Sequence, residues 1–390
     1  MNMELPPLDG LRVIDMTEAL AGPYCGMILG DLGADVIKVE RRSVGDQSRG
    51  WGPPFAEGES AYYLSVNRNK RSVELDIKQE ADLSVLHRLL DGADVFVTNN
   101  PRMESLRRCG LDPDTVRGRN PRLVYSAISG FGHSGPKAGQ AGYDLLAQGE
   151  AGLMAITGDP DGGPVRFPTA MADITAGIYS LIGILAALYA RDRDAGGSGE
   201  GQFLDVALLD SQLTWLANIG SSYFVTGERP RRLGNVHPTI TPYQPMRARD
   251  KSILVAVGSE RLWERFCAVL GLNDEVRTDA RFATNSVRNE NRDELITVLE
   301  NVLSSRDAAS WLADLVQAGI PAGPVNFPDE VLADPHTIAR GMIVELEHPL
   351  IGIVRSIGNP IHSSAAGPTY RRYPPRLGEH NEEIRAELET

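Results

Sequence analysis

The sequence predicts an α/β protein whose larger domain is a doubly wound parallel sheet, accompanied by a smaller α+β domain. Three observations support this fold class. Short apolar strands alternate with helical stretches from Leu11 to Ile128. The first strand, helix and second strand fit within about 30 residues, the length of a βαβ unit, whose strands must pair in parallel. The chain of 390 residues is also longer than one ordinary core needs.

The predicted elements come in the order that a series of βαβ units requires. LRVIDM is the first strand, and Gly22 with Pro23 opens a helix that Gly30 and Gly33 end. Further strands are expected at Asp35–Glu40, Ser72–Ile77, Asp94–Thr98 and Leu123–Ile128, with helices at Ala81–Leu90 and Met103–Arg108. In a sheet of this kind the ligand lies beyond the carboxyl ends of the strands.

The second half of the chain has a different pattern. Arg229–Pro245 is rich in proline, glycine and arginine, which predicts a linker. The later elements are a strand at Ile253–Val257, helices at Arg261–Leu270, Glu290–Leu303 and Ala308–Ala318, and strand-like pieces in MIVELEH and GIVRSI. They predict a smaller domain followed by a C-terminal segment.

Composition narrows the classes of function. A formal net charge of −13 argues against binding to nucleic acid or to anionic membranes. Cys25, Cys109 and Cys267 are too far apart for a disulfide framework or a zinc site, and the seven histidines form no ligand pattern, so no metal is expected. No signal peptide is visible, and the apolar run Ile174–Ala190 is shorter than a usual membrane span. We therefore expect a cytoplasmic protein with no membrane partner.

Basic and amide side chains cluster where the predicted strands end. Neither a GxGxxG fingerprint nor a P-loop motif is present, so those two nucleotide sites are not expected. The polar residues near the strand ends are Arg41, Arg42, Lys78, Asn99, Asn100, Arg107 and Arg108. Any one of them could be a solvated surface group. Together, in an acidic protein, they favour a ligand that carries phosphate.

Asp173 is the acid at the head of the longest apolar helix. Residues 174–188 place Ile and Leu at helical spacing, with Arg191 and Arg193 near the expected C-terminal end. Asp173 could be the N-cap of a buried structural helix, since aspartate is a favoured cap. Alternatively, the helix N-terminus could keep a partly desolvated carboxylate ionised, which suits a nucleophile. The pattern alone leaves both interpretations open.

Several segments, taken in order, resemble the class III coenzyme A transferase family, which includes formyl-CoA transferases, carnitine CoA-transferases and α-methylacyl-CoA racemases. The segments include LDGLRVIDMTEALAGPYCGMILGDLGADVIKVERR, NRNKRSVELDIK, GEGQFLDVALLDS, GNVHPTITPY, AGIPAGPVN and PPRLGEHNEEI, and the likeness spans Leu8 to Ile384. WGPPFAEGESAYYLSVNRNKRS and GGPVRFPTAMAD are most like the branch that uses succinyl-CoA and dicarboxylic acids such as glutarate.

This resemblance implies a domain organisation and an assembly. Residues 1–200 would form the N-terminal part of a large CoA-binding domain, and 201–228 a connecting segment. Residues 229–325 would form the small domain with its linker, and 326–390 a part that returns to the large domain. Two chains would interlock as an obligate homodimer. Each CoA site would lie between the large domain of one chain and the small domain of the other.

The resemblance also implies roles for individual residues. Asp173, in TAMADITAG, matches the family's catalytic aspartate. Positions that match or neighbour CoA contacts are Arg41, Leu75, Asp76, Lys78, Asn99, Asn100, Arg108 and Tyr143. Candidates for the acyl-group and acid-substrate end are Leu20, Trp51, Arg166, Gly234 and His237.

The resemblance is imperfect or leaves alternatives open at several places. Asn100 stands where the family commonly has an aromatic residue, and Arg108 needs a one-residue gap, so Arg107 is a substitute. The long glycine-rich lid of some members is missing. Arg166 could read a distal carboxylate or be a surface arginine in a turn, and Trp51 could equally be a core residue.

The expected activity is transfer of CoA from an acyl-CoA, with succinyl-CoA as the expected donor, to a free acid that we expect to be a dicarboxylate. It would pass through an aspartyl anhydride and an aspartyl-CoA thioester, with CoA as substrate and no prosthetic group. Racemisation is one alternative, but it needs an acid/base pair, and Tyr143 replaces the racemase histidine and is a poor base. A non-catalytic acyl-CoA binding protein is the other, and the retained Asp173 argues against it.

Overall fold

The computed structural model describes residues 5 to 389 and divides them into two compact units. The first unit contains the chain up to Met154, Arg166–Glu228 and the segment from Pro335 onward. The second contains Ala155–Val165 and Arg229–Asp334. This division departs from the expected bounds, because residues 201–228 belong to the first unit and the second continues past residue 325.

Eight strands occur in the described chain before residue 210. They are β1 Arg12–Met16, β2 Asp35–Arg41, β3 Phe55–Ala56, β4 Glu59–Ser60, β5 Lys70–Leu75, β6 Val95–Thr98, β7 Val124–Ser129 and β8 Phe203–Ala207. Six of them form one sheet in the order β5-β2-β1-β6-β7-β8, and all of its pairs are parallel. The chain therefore winds outward from β1 in both directions, as the doubly wound prediction requires.

Helices fill the connections between these strands. They are α1 Ala21–Asp31, α2 Ala61–Ser65, α3 Glu80–Asp91, α4 Met103–Arg108, α5 Pro113–Arg119, α6 Asp144–Glu150, α7 Leu153–Ile156, α8 Met171–Asp192, α9 Leu208–Leu213 and α10 Ala217–Thr226, with short 3-10 turns at Gln47–Gly50 and Thr214–Leu216. The strand predicted at Ser72–Ile77 begins and ends two residues earlier. Consequently Asp76 and Lys78 lie just beyond the carboxyl end of β5.

Helices cover both faces of the sheet, which confirms the predicted α/β fold. On one face, Val13 and Val124 pack with Leu29 of α1 and Ile184 of α8. On the other face, Phe96 and Tyr125 meet Leu86 and Val116, among others. Burying one such side chain contributes about 1.5–3 kcal/mol, so these two apolar layers fix the positions of the strand ends.

Helix α8 is long and apolar enough by composition to cross a membrane, and 50% of its apolar stretch is buried within the protein. Its buried face contacts α1 and β7. Its C-terminal end is held by Arg191, which pairs with Asp94 at 2.9 Å. The opposite face exposes apolar side chains, among them Ile182 and Tyr189. This helix is thus a core element with a second, uncovered apolar face.

The second unit combines a small antiparallel sheet with helices. Its strands are β9 Tyr243–Arg247, β10 Ser252–Ala256 and β11 Ala322–Pro324, and its helices are α11 Glu260–Leu270, α12 Asp274–Arg277, α13 Asn285–Glu290, α14 Arg292–Leu303, α15 Ala308–Gln317 and α16 Pro328–Leu332. One sequence prediction is wrong here, because the expected linker already contains the start of β9. The helix predicted at Glu290–Leu303 is α14, which begins two residues later and ends at the same residue.

The C-terminal segment belongs to the first unit. It contains α17 Pro335–Ala339, the hairpin strands β12 Ile343–His348 and β13 Gly352–Ile357, and α18 Asn381–Glu387. Buried Arg68 joins it to the rest of the unit, because the guanidinium binds both Asp31, at 2.6 Å, and the carbonyl of Ile357. A buried, ion-paired arginine thus holds the C-terminal segment to the large unit by hydrogen bonding to its backbone.

Candidate active site

A cavity of about 830 Å³ opens at the carboxyl ends of the parallel strands of the first unit. Its floor is made by the residues that follow β1, β2, β5, β6 and β7. Strands β1 and β6 are adjacent, and the chain leaves them in opposite directions, so the cavity lies at the topological switch point of the sheet. Ligands of open α/β sheets bind at this point.

Asp173 lines the cavity from the first turn of α8. The N-cap interpretation is wrong, because α8 begins at Met171, its cap position is Ala170, and that residue provides no side-chain hydrogen bond. Asp173 is the third residue of the helix. Its carboxylate is therefore free to face the cavity instead of closing the helix start.

Asp144 takes the capping role that Asp173 lacks. Its carboxylate accepts the backbone N–H of Ala172 at 2.8 Å and the side-chain amide of Gln148 at 2.7 Å. Burial, and secondarily the nearby Asp144 carboxylate, raise the pKa of Asp173 to about 7. This raised pKa runs against the expectation that the helix start keeps Asp173 ionised.

Close backbone contacts bring these acids to the strand ends. A β-carbon on Gly142 would lie 2.4 Å from the α-carbon of Gly130, so both positions need glycine for the loop before Asp144 to reach the end of β7. A β-carbon on Gly177 would lie 2.6 Å from the carbonyl oxygen of Ala21. That contact lets α8 cross the start of α1 at close range.

Two aromatic residues form a wall of the cavity near Asp173. Trp51 and Tyr62 meet edge to face, with ring centroids 4.9 Å apart. Burial, together with the Asp173 carboxylate, raises the pKa of Tyr62 to about 12. Tyr62 consequently remains a neutral hydrogen-bond donor beside the acid. The interpretation of Trp51 as a core residue is not supported, because its side chain is exposed to the cavity.

Cations and amides occupy other parts of the same cavity. The lining includes the predicted CoA positions Arg41, Leu75, Asp76, Lys78, Asn99, Asn100 and Tyr143. Arg41 pairs with Glu18 at 2.8 Å, and 59% of its side chain is exposed, so the guanidinium remains accessible to a phosphate. Asn99 holds the backbone of Glu18 through two hydrogen bonds, which leaves one N–H and one lone pair for a ligand.

The remaining predicted residues lie outside this lining. Arg108 lines a smaller cavity of about 420 Å³, whereas its alternative, Arg107, pairs with Glu104 at the surface. Leu20 is buried at the cap of α1, and Arg166 is exposed.

Gly234 and His237 belong to the second unit. There the His237 ring stacks on Tyr243 with centroids 5.1 Å apart, and Gly234 has a left-handed backbone with φ of 61°.

Sequence reasoning missed several residues in and around the cavity. Glu18 could have been found, because it directly follows the first strand at the end of the sheet where ligands bind. Asp144 is adjacent to Tyr143, yet no local pattern indicates that its carboxylate reaches the start of α8. Tyr62 and Asp46 carry no such signal, since only the folding of the chain brings them to the cavity.

Comparison with known proteins agrees with this geometry. Residues 8–381 match the model of the CoA-transferase family III. The chain is 42% identical over 391 residues to a succinate–glutarate CoA-transferase of Agrobacterium fabrum, and the match covers 99% of this chain and 96% of that one. A human succinyl-CoA:glutarate CoA-transferase is 38% identical over 384 residues, with 98% and 86% covered.

A solved structure gives the same result for the fold. A CAIB/BAIF family protein from Brucella suis superposes with a TM-score of 0.87 at 41% identity, covering 99% of this chain and all of that one. Family model, sequence relatives and solved structure thus agree over nearly the whole chain. The protein is a CoA-transferase that belongs to family III.

Proposed function

We propose that this enzyme transfers CoA from succinyl-CoA to a dicarboxylic acid, with Asp173 as the nucleophile. One observation carries the assignment: the Asp173 carboxylate lines the same cavity as the cations and amides that match CoA contacts. Two of the relatives are named succinate–glutarate CoA-transferase and succinyl-CoA:glutarate CoA-transferase. Glutarate is therefore the first acceptor to test.

The proposed chemistry begins with attack of an Asp173 carboxylate oxygen on the thioester carbonyl. The C–S bond breaks, which gives a mixed anhydride and CoA thiolate. The thiolate then attacks the aspartyl carbonyl, releases the first acid and leaves an aspartyl-CoA thioester. The acceptor carboxylate attacks this thioester and expels the thiolate, which attacks the new acyl carbonyl, forms the product thioester and restores Asp173. Splitting one exchange into such steps is the benefit of covalent catalysis.

The environment of Asp173 suits both its attack on the thioester and the stabilisation of the negative charge that develops during attack. Its raised pKa makes the ionised form more basic than an ordinary carboxylate, and therefore a better nucleophile towards a thioester. Tyr62, kept neutral, can donate its phenol to a carbonyl oxygen that becomes negative during attack. The anhydride is sensitive to water, so closure of the cavity around the substrate would protect it.

A homodimer completes the proposal. On α8, the side chains of Ile182 and Tyr189 are 53% and 70% exposed, which is unusual for the central helix of a stable fold. Phe224, on α10, is 85% exposed. A second copy of the chain would remove these side chains from water. The family resemblance supports an interlocked arrangement in which each acyl site draws on both chains.

Trapping the covalent intermediate tests the nucleophile. Enzyme incubated with succinyl-CoA, without acceptor, is treated with hydroxylamine, which converts an acylated aspartate to its hydroxamate. Peptide mass spectrometry should find this change at Asp173 alone. Asp173→Asn should give no transfer and no adduct, while the exposed Asp161→Asn serves as a matched control with normal activity. Normal transfer by Asp173→Asn would exclude the proposed mechanism.

A panel of free acids tests the substrate class. With succinyl-CoA as donor, glutarate, adipate and oxalate are compared with acetate, butyrate and benzoate. A dicarboxylate should have the highest kcat/KM, and Arg166→Ala should lower it for dicarboxylates alone if that guanidinium reads the distal group. Reaction with monocarboxylates only would reject the dicarboxylate assignment. Exchange of an α-proton with deuterium, without transfer, would favour racemisation.

A further inference from the structure

The loop that follows β1 is held in an unusual conformation at the edge of the cavity. Thr17, Glu18 and Ala19 all line the cavity. Ala19 has a φ of 69°, in the left-handed region that a residue with a β-carbon rarely adopts. Non-glycine residues stay in that region only where surrounding contacts hold them, and such positions concentrate at functional sites.

Buried charges supply the contacts that hold this loop. The Asp46 carboxylate accepts the backbone N–H of Ala19 at 3.0 Å, and the Lys38 ammonium donates to the carbonyl oxygen of Thr17 at 2.9 Å. Lys38 and Asp46 pair with each other at 2.9 Å, and both side chains are fully buried. This ion pair therefore holds the loop backbone at Thr17 and Ala19, the residues on either side of Glu18.

The same carboxylate also fixes the opposite wall. Asp46 accepts the backbone N–H and the hydroxyl of Ser48, both at 2.8 Å, and thereby caps the short 3-10 turn Gln47–Gly50. This turn leads directly into Trp51, which packs on Tyr62. One side chain therefore sets the spacing between the strained Ala19 turn and the aromatic wall of the cavity.

The charge of Asp46 is built into this arrangement. Two backbone N–H groups, one hydroxyl and one ammonium converge on it, and all four are donors that prefer a carboxylate. Lys38 and these hydrogen bonds overcome burial and lower the pKa of Asp46 to about 2. An asparagine of the same shape could keep some hydrogen bonds but would leave Lys38 buried without its counter-charge.

We propose that Asp46, supported by Lys38, is a positioning residue for the acyl end of the site. It holds Ala19 in the left-handed conformation and Trp51 against Tyr62. The distance across the acyl pocket, from the Ala19 turn to the aromatic pair, is thereby fixed. The inference rests on the proposed transferase function, because an acyl group must occupy this end of the cavity. Asp46 itself takes no part in bond formation.

The test combines Asp46→Asn with Ala19→Gly. Glycine adopts positive φ without strain, so the double variant should keep the turn even when the hold of Asp46 is weakened. Asp46→Asn alone should lower kcat/KM for the preferred acid about ten-fold or more, while the Kd of free CoA changes less than about two-fold. The double variant should recover part of the lost kcat/KM, because glycine restores the turn but not the hold on Trp51, and it should not recover the lost thermal stability.

A matched control separates positioning from general damage. Asp31→Asn breaks another fully buried pair in the same unit, with Arg68, away from the cavity lining. It should lower Tm by a similar amount and leave acid preference unchanged. Failure of Ala19→Gly to rescue Asp46→Asn, or an equal loss of acid preference in Asp31→Asn, would overturn the proposal.

A crystal structure of Asp46→Asn provides a readout that needs no activity. The φ of residue 19 should leave the left-handed region, or the Trp51 ring should move from Tyr62. An unchanged pocket in that structure refutes the positioning role even if wild-type transfer is high. Conversely, a displaced pocket together with an inactive wild type would refute the transferase proposal and leave the structural role standing.

Discussion

The carboxylate of Asp144 accepts the backbone N–H of Ala172 at 2.8 Å, one residue before Asp173. This bond closes the start of α8 and brings a second negative charge towards Asp173. Both the hydrogen bond that caps α8 and this second charge thus come from a residue of another helix, 28 positions away in the chain. The same contact stabilises the helix and makes Asp173 harder to ionise.

Replacement of Asp144 by asparagine should shift the pH dependence of transfer. Asparagine keeps an oxygen for the Ala172 N–H and removes the charge that raises the pKa of Asp173. The acidic limb of kcat/KM, expected near pH 7 in the wild type, should move to lower pH by about half a unit or more. Most of the rise in the pKa of Asp173 should remain, because burial is the larger cause of that rise. A profile that moves to higher pH would contradict this coupling.

Asp173→Asn should stabilise the protein above neutral pH. A raised pKa in the folded state means that folding favours the protonated acid, so this stabilisation is present at low pH and is lost as pH rises through about 7. At pH 8 the neutral asparagine avoids the cost of a buried charge. The free energy of unfolding should rise by up to about 4 kcal/mol, since the pKa of Asp173 is raised from 3.8 to about 7 and each unit corresponds to about 1.4 kcal/mol. Thermal unfolding at pH 8 and pH 5 measures the difference.

The stability difference measured at pH 5 serves as the control for the difference measured at pH 8. The advantage of Asp173→Asn should be less than half as large at pH 5, where the folded wild-type acid is protonated, and should vanish only near the ordinary aspartate pKa of 3.8. An advantage of equal size at both pH values would show that the effect is not linked to ionisation.

Loss of a phosphate-binding cation should weaken CoA binding more than it slows chemistry. Arg41→Ala and Lys78→Ala should each raise the Kd of CoA about five- to twenty-fold, a typical range for one charged hydrogen bond at a partly exposed site. Isothermal titration with CoA measures this effect, which should decrease at high salt because exposed charges are screened. Unchanged affinity in both variants would place the phosphates elsewhere.

Arg107 and Arg108 provide a test of the one-residue gap. Arg108 lines a cavity next to the main one, whereas Arg107 is already paired with Glu104. Arg108→Ala should therefore weaken CoA binding, and Arg107→Ala should leave it within about two-fold. The reverse result would show that the alignment assigns the contact to the wrong arginine.

The exposed face of α8 should be an interface between two chains. Ile182→Lys places a charge in the middle of that face and should lower the dimer fraction in sedimentation velocity, whereas the wild type should sediment as a dimer at micromolar concentration. Lys251→Ala, an exposed change in the second unit, is the matched control. A monomeric wild type would contradict the proposed assembly.

Local pattern was sufficient for five of the six strands of the large sheet and for the residues that follow them. β-branched runs identified most strands within two residues, and the rule for parallel sheets then placed Arg41 and Asn99 beside one cavity. Pattern failed at the start of α8. An aspartate before an apolar run resembles a cap, but the donor at Ala172 is satisfied by Asp144 from a distant segment. Neither that contact nor the Gly130–Gly142 approach has a signature in neighbouring residues.

The sheet order, with β1 and β6 at its centre, is the order of dinucleotide-binding folds, in which a glycine-rich turn after the first strand receives the pyrophosphate. Here that turn carries Thr17, Glu18 and Ala19, and Glu18 would repel a phosphate. The cations stand instead beyond β2 and β5. A nucleotide in this crevice would place its anionic groups at the flank of the sheet and its reactive end at the centre. An inhibitor that mimics a nicotinamide cofactor should consequently bind poorly, although it would encounter a sheet of the same topology.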